Sequence, residues 1–245
     1  MFQFLESLGS HLARYLSAPR DDIPNVATSP PEKLANCIRK GDVLLVEGTS
    51  RISTAIKYLT QSTWSHAAIH IGHALDGPEF GDNARVQAVP LSKYFHQHTR
   101  ICRPVGLTET EIARMIEFLL TRLGDQYDHK NIFDLTRYLF PTPPVPIRWR
   151  RQMLTLGSGE PTRAICSSLI AEGFQSIHYP ILPAVVQIHA DDPADGKPIQ
   201  HRFRQHHSFF VPRDFDVSPY FKVIKPMVEG GFDYHNIVCW GDQEK

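Results

Sequence analysis

Arg163-Ala-Ile-Cys166-Ser-Ser-Leu-Ile-Ala-Glu-Gly-Phe174 runs from an apolar, strand-like approach into an amphipathic helix with a cysteine in its first turn. A thiol there meets unpaired backbone N–H groups and the positive end of the helix dipole, and both favour thiolate over thiol. Leu169, Ile170 and Phe174 recur at helical spacing and give the helix a core-facing stripe. Ser167 and Ser168 are small enough for a substrate to come close. A buried structural cysteine is the competing reading of this stretch taken alone.

A second stretch tips the balance towards chemistry. Trp64-Ser-His66-Ala-Ala-Ile-His70-Ile-Gly72 reads as a short strand closed by a glycine. Alternation puts His66, Ala68, His70 and Gly72 on one face and Ala67, Ile69 and Ile71 on the other, so the apolar face belongs to the core. Four residues of strand cover about 13 Å. One thiol therefore cannot hydrogen-bond both imidazoles, and only one of them can be its base.

Composition narrows the class. The 245 residues are 42% hydrophobic, enough for one sizeable core. Lys plus Arg and Asp plus Glu number 26 each, so no global field recruits nucleic acid. Cys37, Cys102, Cys166 and Cys239 are far apart with no C-x-x-C pair, which argues against a zinc site and fits a reducing, cytoplasmic setting. His96, His98, His201, His206 and His207 lack ligand spacing, so neither a metal nor another cofactor is expected.

Taken in this order, Gly41-Asp-Val-Leu-Leu45, Ser65-His66-Ala-Ala-Ile-His70-Ile-Gly72, Ile165-Cys166-Ser-Ser-Leu-Ile170 and Val211-Pro-Arg-Asp-Phe-Asp-Val-Ser-Pro-Tyr220 resemble the YiiX-type permuted papain-like cysteine hydrolases. These are a circularly permuted branch of the NlpC-type peptidases, related to the lecithin:retinol acyltransferase-like enzymes. The resemblance spans about residues 40–226 and implies an α+β, permuted papain-like fold with an antiparallel sheet packed on the cysteine helix. It also implies Cys166 as nucleophile and His66 as base. The position where the family often carries an acid that orients the histidine is Gln87 here, whose amide can set the tautomer but cannot stabilise an imidazolium by charge. His70 is the competing third member, since the acyltransferase-like relatives use a second histidine. Gly124-Asp-Gln-Tyr127 resembles the Gly-x-x-Tyr element of NlpC-type enzymes, which makes Tyr127 a substrate contact together with Ser167, His70 and Trp64. The substrate expected is an amide or peptide, with an acyl lipid as the alternative and a non-catalytic binding module as a third reading.

The remaining segments follow from pattern. Residues 1–31 form an N-terminal amphipathic helix and a linker, and residues 32–245 the hydrolase domain. The first 17 residues are too short and polar to span a membrane and lack a secretory pattern, which leaves a packed helix or one that touches a membrane surface. Helices are expected over 32–38, 49–61 and from Thr108, where Thr108-Glu-Thr-Glu111 is a capping box. Strands are expected over 43–47, 85–89, 209–211 and 220–224, and a strand or loop pair over 181–188. The Pro-rich stretch 141–162, with Arg148-Trp-Arg-Arg151, reads as a lid or a solvated basic loop.

Overall fold

The computed structural model describes residues 26–72, 86–124, 166–183, 185–189, 199–203 and 206–231. The N-terminal helix, Tyr127 and the stretch 141–162 lie outside these residues. Helix α1 (Pro31–Cys37) leads into strand β1 (Val43–Val46), helix α2 (Arg51–Thr60) and strand β2 (His66–Ile69). A 3-10 turn (Leu91–Tyr94) precedes β3 (Thr99–Pro104) and α3 (Glu109–Leu120). The cysteine helix is α4 (Cys166–Ser176), followed by a hairpin of β4 (Val185–His189) and β5 (Ile199–Phe203). Helix α5 (Pro212–Asp216), strand β6 (Phe221–Ile224) and helix α6 (Pro226–Glu229) complete the order. The architecture is α+β, with an antiparallel sheet in the order β2-β1-β3-β6.

Strand β1 reads Val-Leu-Leu-Val without polar alternation because it is buried on both faces. Val43, Leu45, Ala67 and Cys102 face one layer, with Met115 and Leu119 of α3, Ile170 and Phe174 of α4, and Phe215 and Phe221. Leu44, Val46, Ile101 and Ile224 face the other, covered by Leu34, Ile38 and Tyr94. Phe174 is fully buried and meets Phe221 edge-on at 5.1 Å. Its burial contributes about 1.5–3 kcal/mol and anchors α4 to the sheet. The capping box forms as expected, with Thr108 Oγ1 accepting from the Glu111 N–H and Glu111 Oε2 accepting from the Thr108 N–H.

Two expected strands do not form. Residues 86–90 are irregular, and the open edge of β2 that a neighbouring strand would have used meets the start of α4 instead, as described below. Residues 209–211 end a 3-10 turn (His207–Phe209) and lead into α5 rather than forming a strand. Pro212 is preset for the first helical turn, and the Asp214 carboxylate reaches back to accept the Val211 N–H at 3.0 Å.

Helix α4 packs against α3 at Gly173, where an added Cβ would lie 2.9 Å from Leu119 Cδ2. Alanine would gain about 1 kcal/mol in helix propensity. Leu119 is only 6% exposed and has little room to yield, so overpacking of about 1–3 kcal/mol outweighs that gain. Gly173→Ala is therefore expected to lower stability in urea by about 1 kcal/mol; a stabilised variant would mean that Leu119 yields room for the added methyl.

Candidate active site

The end of β1 is fastened to the start of β2, which fixes His66. Ser65 donates its N–H to the Val46 carbonyl at 3.1 Å, Ser65 Oγ accepts the Gly48 N–H at 2.8 Å, and Val46 sits opposite His66. Further along, the His70 N–H donates to the Asp42 carbonyl at 2.9 Å. With a period of two, the backbones of His66 and Ala68 also face β1, so the Ala67 N–H points out of the open edge of the sheet.

Cys166 lies at that edge, as the first residue of α4. Its sulfur is hydrogen-bonded to the His66 imidazole and accepts from the backbone N–H groups of Ala67 and Ser167. Burial pushes the thiol up, but the imidazole charge, the imidazole hydrogen bond and the two N–H donors together bring it below its ordinary value. On His66, burial opposes the cation and Lys93 adds to that opposition, yet the sulfur's charge and hydrogen bond raise the imidazole above its ordinary value. Both shifts favour a thiolate–imidazolium pair. Cys102 is the contrast: it is fully buried and pushed up to about 12, chiefly by burial and then by Asp216.

The other candidates fall differently. Ser167, expected beside the substrate, is fully buried, and its hydroxyl donates to the Phe210 carbonyl at 2.8 Å. It fixes the start of α4 rather than lining a cleft. Trp64 is 2% exposed and donates its indole N–H to Asp216 Oδ2 at 2.9 Å, which makes it a core residue. His70 lies just past β2 and is not among the partners of the sulfur; its Nδ1 is buried without a hydrogen-bond partner among the described residues. Gln87 is half-buried in the irregular 86–90 segment, and no hydrogen bond among the described residues joins it to His66.

Tyr94 is the neighbour that sequence reasoning missed. Its ring lies 6.3 Å from the His66 ring, tilted by 31°, and it is 7% exposed. Nothing in Pro90-Leu-Ser-Lys-Tyr94 marks it, because the link to His66 exists only in space.

A cavity of about 590 Å³ opens where β1 ends and β3 begins, over Trp64, and neither Cys166 nor His66 lines it. Its carboxylates are already engaged: Glu47 by Lys57 and His98, and Asp216 by both Arg100 and Trp64. Among the described residues no group of three or more His, Cys, Asp or Glu side chains could hold a metal, and no helix is long and apolar enough to cross a membrane.

Residues 37–139 match the family described as permuted papain-like amidase enzyme, YaeF/YiiX, C92 family. This bears out the resemblance read from the sequence and supports an amidase-type hydrolase. The match covers less than half of the chain; it includes His66 and Tyr94 and ends before Cys166. No curated protein matches the chain.

Proposed function

We propose that this protein is a cysteine-dependent amidase that works through a thioester on Cys166. The observation that carries the reading is the hydrogen-bonded Cys166–His66 pair, with the thiol lowered and the imidazole raised. The thiolate attacks the carbonyl carbon of an amide, and the charge moves to the carbonyl oxygen. The Cys166 N–H, at the helix start, is a donor for that oxygen. The C–N bond breaks as the imidazolium gives its proton to the leaving amine. Water then loses a proton to His66 and attacks the thioester, and C–S cleavage returns the thiolate.

Two measurements test this reading. Iodoacetamide at pH 6 is expected to label Cys166 at least tenfold faster than Cys102, because the thiolate is the nucleophile and Cys102 is buried and un-ionised. Intact-mass spectrometry after incubation with amide, thioester and phospholipid substrates is expected to trap an acyl adduct on Cys166 that Cys166→Ser lacks. A peptidyl or amino-acyl adduct supports the amidase; a fatty-acyl adduct would move the assignment to a lipid-directed acyltransferase or phospholipase. Equal labelling of the cysteines with no adduct would leave a binding module.

A further inference from the structure

Two arginines line the cavity over Trp64, and each keeps part of its guanidinium uncommitted. Arg100 lies over the Trp64 ring at 5.0 Å, and its Nη1 donates to Asp216 Oδ1 at 2.6 Å and Oδ2 at 2.9 Å. Arg213 is exposed, and its hydrogen bond from Nη1 to the Thr60 carbonyl is long at 3.3 Å. Among the described residues Arg213 has no carboxylate partner, and the Nε and Nη2 groups of both arginines have no acceptor. Nε and Nη2 form one edge of a guanidinium, a rigid fork that holds two oxygens of a carboxylate or phosphate side by side.

Charge and size point the same way. Lys57, Arg100 and Arg213 line the cavity with two carboxylates, Glu47 and Asp216, which leaves one positive charge in excess before His98 is counted. Glu47 is offset by Lys57 and Asp216 by Arg100, so the excess belongs to Arg213. About 590 Å³ is the volume of a small-molecule site, more than a bare ion needs. Val217, an exposed apolar side chain on the wall, suits a ligand with a carbon skeleton. Helix α5 carries both Arg213 and the Asp216 that fixes Arg100, so the two forks are held by one element.

We propose that this cavity binds a small organic oxyanion, a carboxylate or a phosphate ester, on the Nε–Nη2 edges of Arg213 and Arg100. Neither Cys166 nor His66 lines it, so the site stands independently of the thioester reading above. Isothermal titration calorimetry of the full chain with phenyl phosphate, benzoate and benzyl alcohol, at constant ionic strength, tests it. Saturable binding of at least one of the two anions is expected, with none of the neutral alcohol; the tighter anion identifies the head group. Arg213→Gln is expected to weaken that binding at least about tenfold, the effect of losing hydrogen bonds to a charged group. Thermal melting close to that of the wild type separates lost ligand contact from lost fold, and Arg213→Lys, which keeps the charge without the fork, gives the same comparison if the glutamine variant does not fold. Cys166→Ser is expected to bind as the wild type does. Absence of anion binding, equal binding of the alcohol, or unchanged affinity in Arg213→Gln overturns the proposal. Loss of binding in Cys166→Ser also overturns it, because the anion would then sit at the thiol rather than in this cavity.

Discussion

His66→Ala is expected to slow acylation of Cys166 by about 10²–10⁴-fold, the usual contribution of a positioned acid–base group. Without the imidazole, burial still pushes the thiol up and only the Ala67 and Ser167 N–H groups oppose it. The profile against pH separates this loss from a folding defect. In the wild type the thiol ionises below its ordinary 9.0 and the imidazolium persists above its ordinary 6.5, and both directions favour the ion pair. In the variant, thiolate appears only at higher pH. Alkylation by iodoacetamide should therefore fall by about 10–10² at pH 6, since an ion-paired thiolate is also a weaker nucleophile and part of the gain in ionised fraction is lost. Near pH 10, where both proteins carry thiolate, the two rates should converge. A variant as reactive as wild type at pH 6 would remove His66 from the mechanism, and a deficit that persists at pH 10 would point to a disturbed fold.

The proposed nucleophile and base were legible because each is set by local pattern: a cysteine at the start of an apolar-striped helix, and a histidine in a four-residue strand whose other face is apolar. Both elements formed where periodicity put them. What was not legible depends on partners distant in the chain. Strand β3 reads Thr-Arg-Ile-Cys-Arg-Pro, a poor strand signal, because Arg100 and Arg103 look solvated until Asp216 and Asp42 are brought to them across 116 and 61 positions. Ser167 looked like a residue facing substrate, but its carbonyl partner, Phe210, lies 43 residues on. Tyr94 escaped notice for the same reason. Gln87 was assigned by analogy to a strand position, and residues 86–90 form no strand. Local chemistry can be read from spacing, whereas a role defined by a neighbour in another element waits for the fold.

Asp42→Ala is expected to cost about 3 kcal/mol of stability, the largest stability loss foreseen for a single side chain. Asp42 is 1% exposed and sits just ahead of β1. Its carboxylate accepts Arg103 Nε at 2.9 Å, Arg103 Nη2 at 2.7 Å and the Arg39 N–H at 2.8 Å. Arg103 Nη2 also donates to the Cys37 carbonyl at 2.6 Å, so one ion pair ties the end of α1, the turn into β1 and strand β3 together. Alanine would leave a guanidinium that is 21% exposed without its counter-charge, and breaking a buried pair on one side costs about 3–5 kcal/mol. Partial access to water places the loss at the lower end of that range. Replacing both partners tests the cause: Asp42→Leu with Arg103→Met removes the stranded charge and should recover most of the loss in urea unfolding, short of the Arg39 N–H that still lacks an acceptor. If the double variant is as unstable as Asp42→Ala, the cost lies in the local turn rather than in the uncompensated cation. The Asp42 carbonyl holds the His70 N–H, and a one-residue slip of β2 would carry His66 to the opposite face of the sheet. The side chain that holds this turn in place therefore also guards the register on which the Cys166–His66 pair depends.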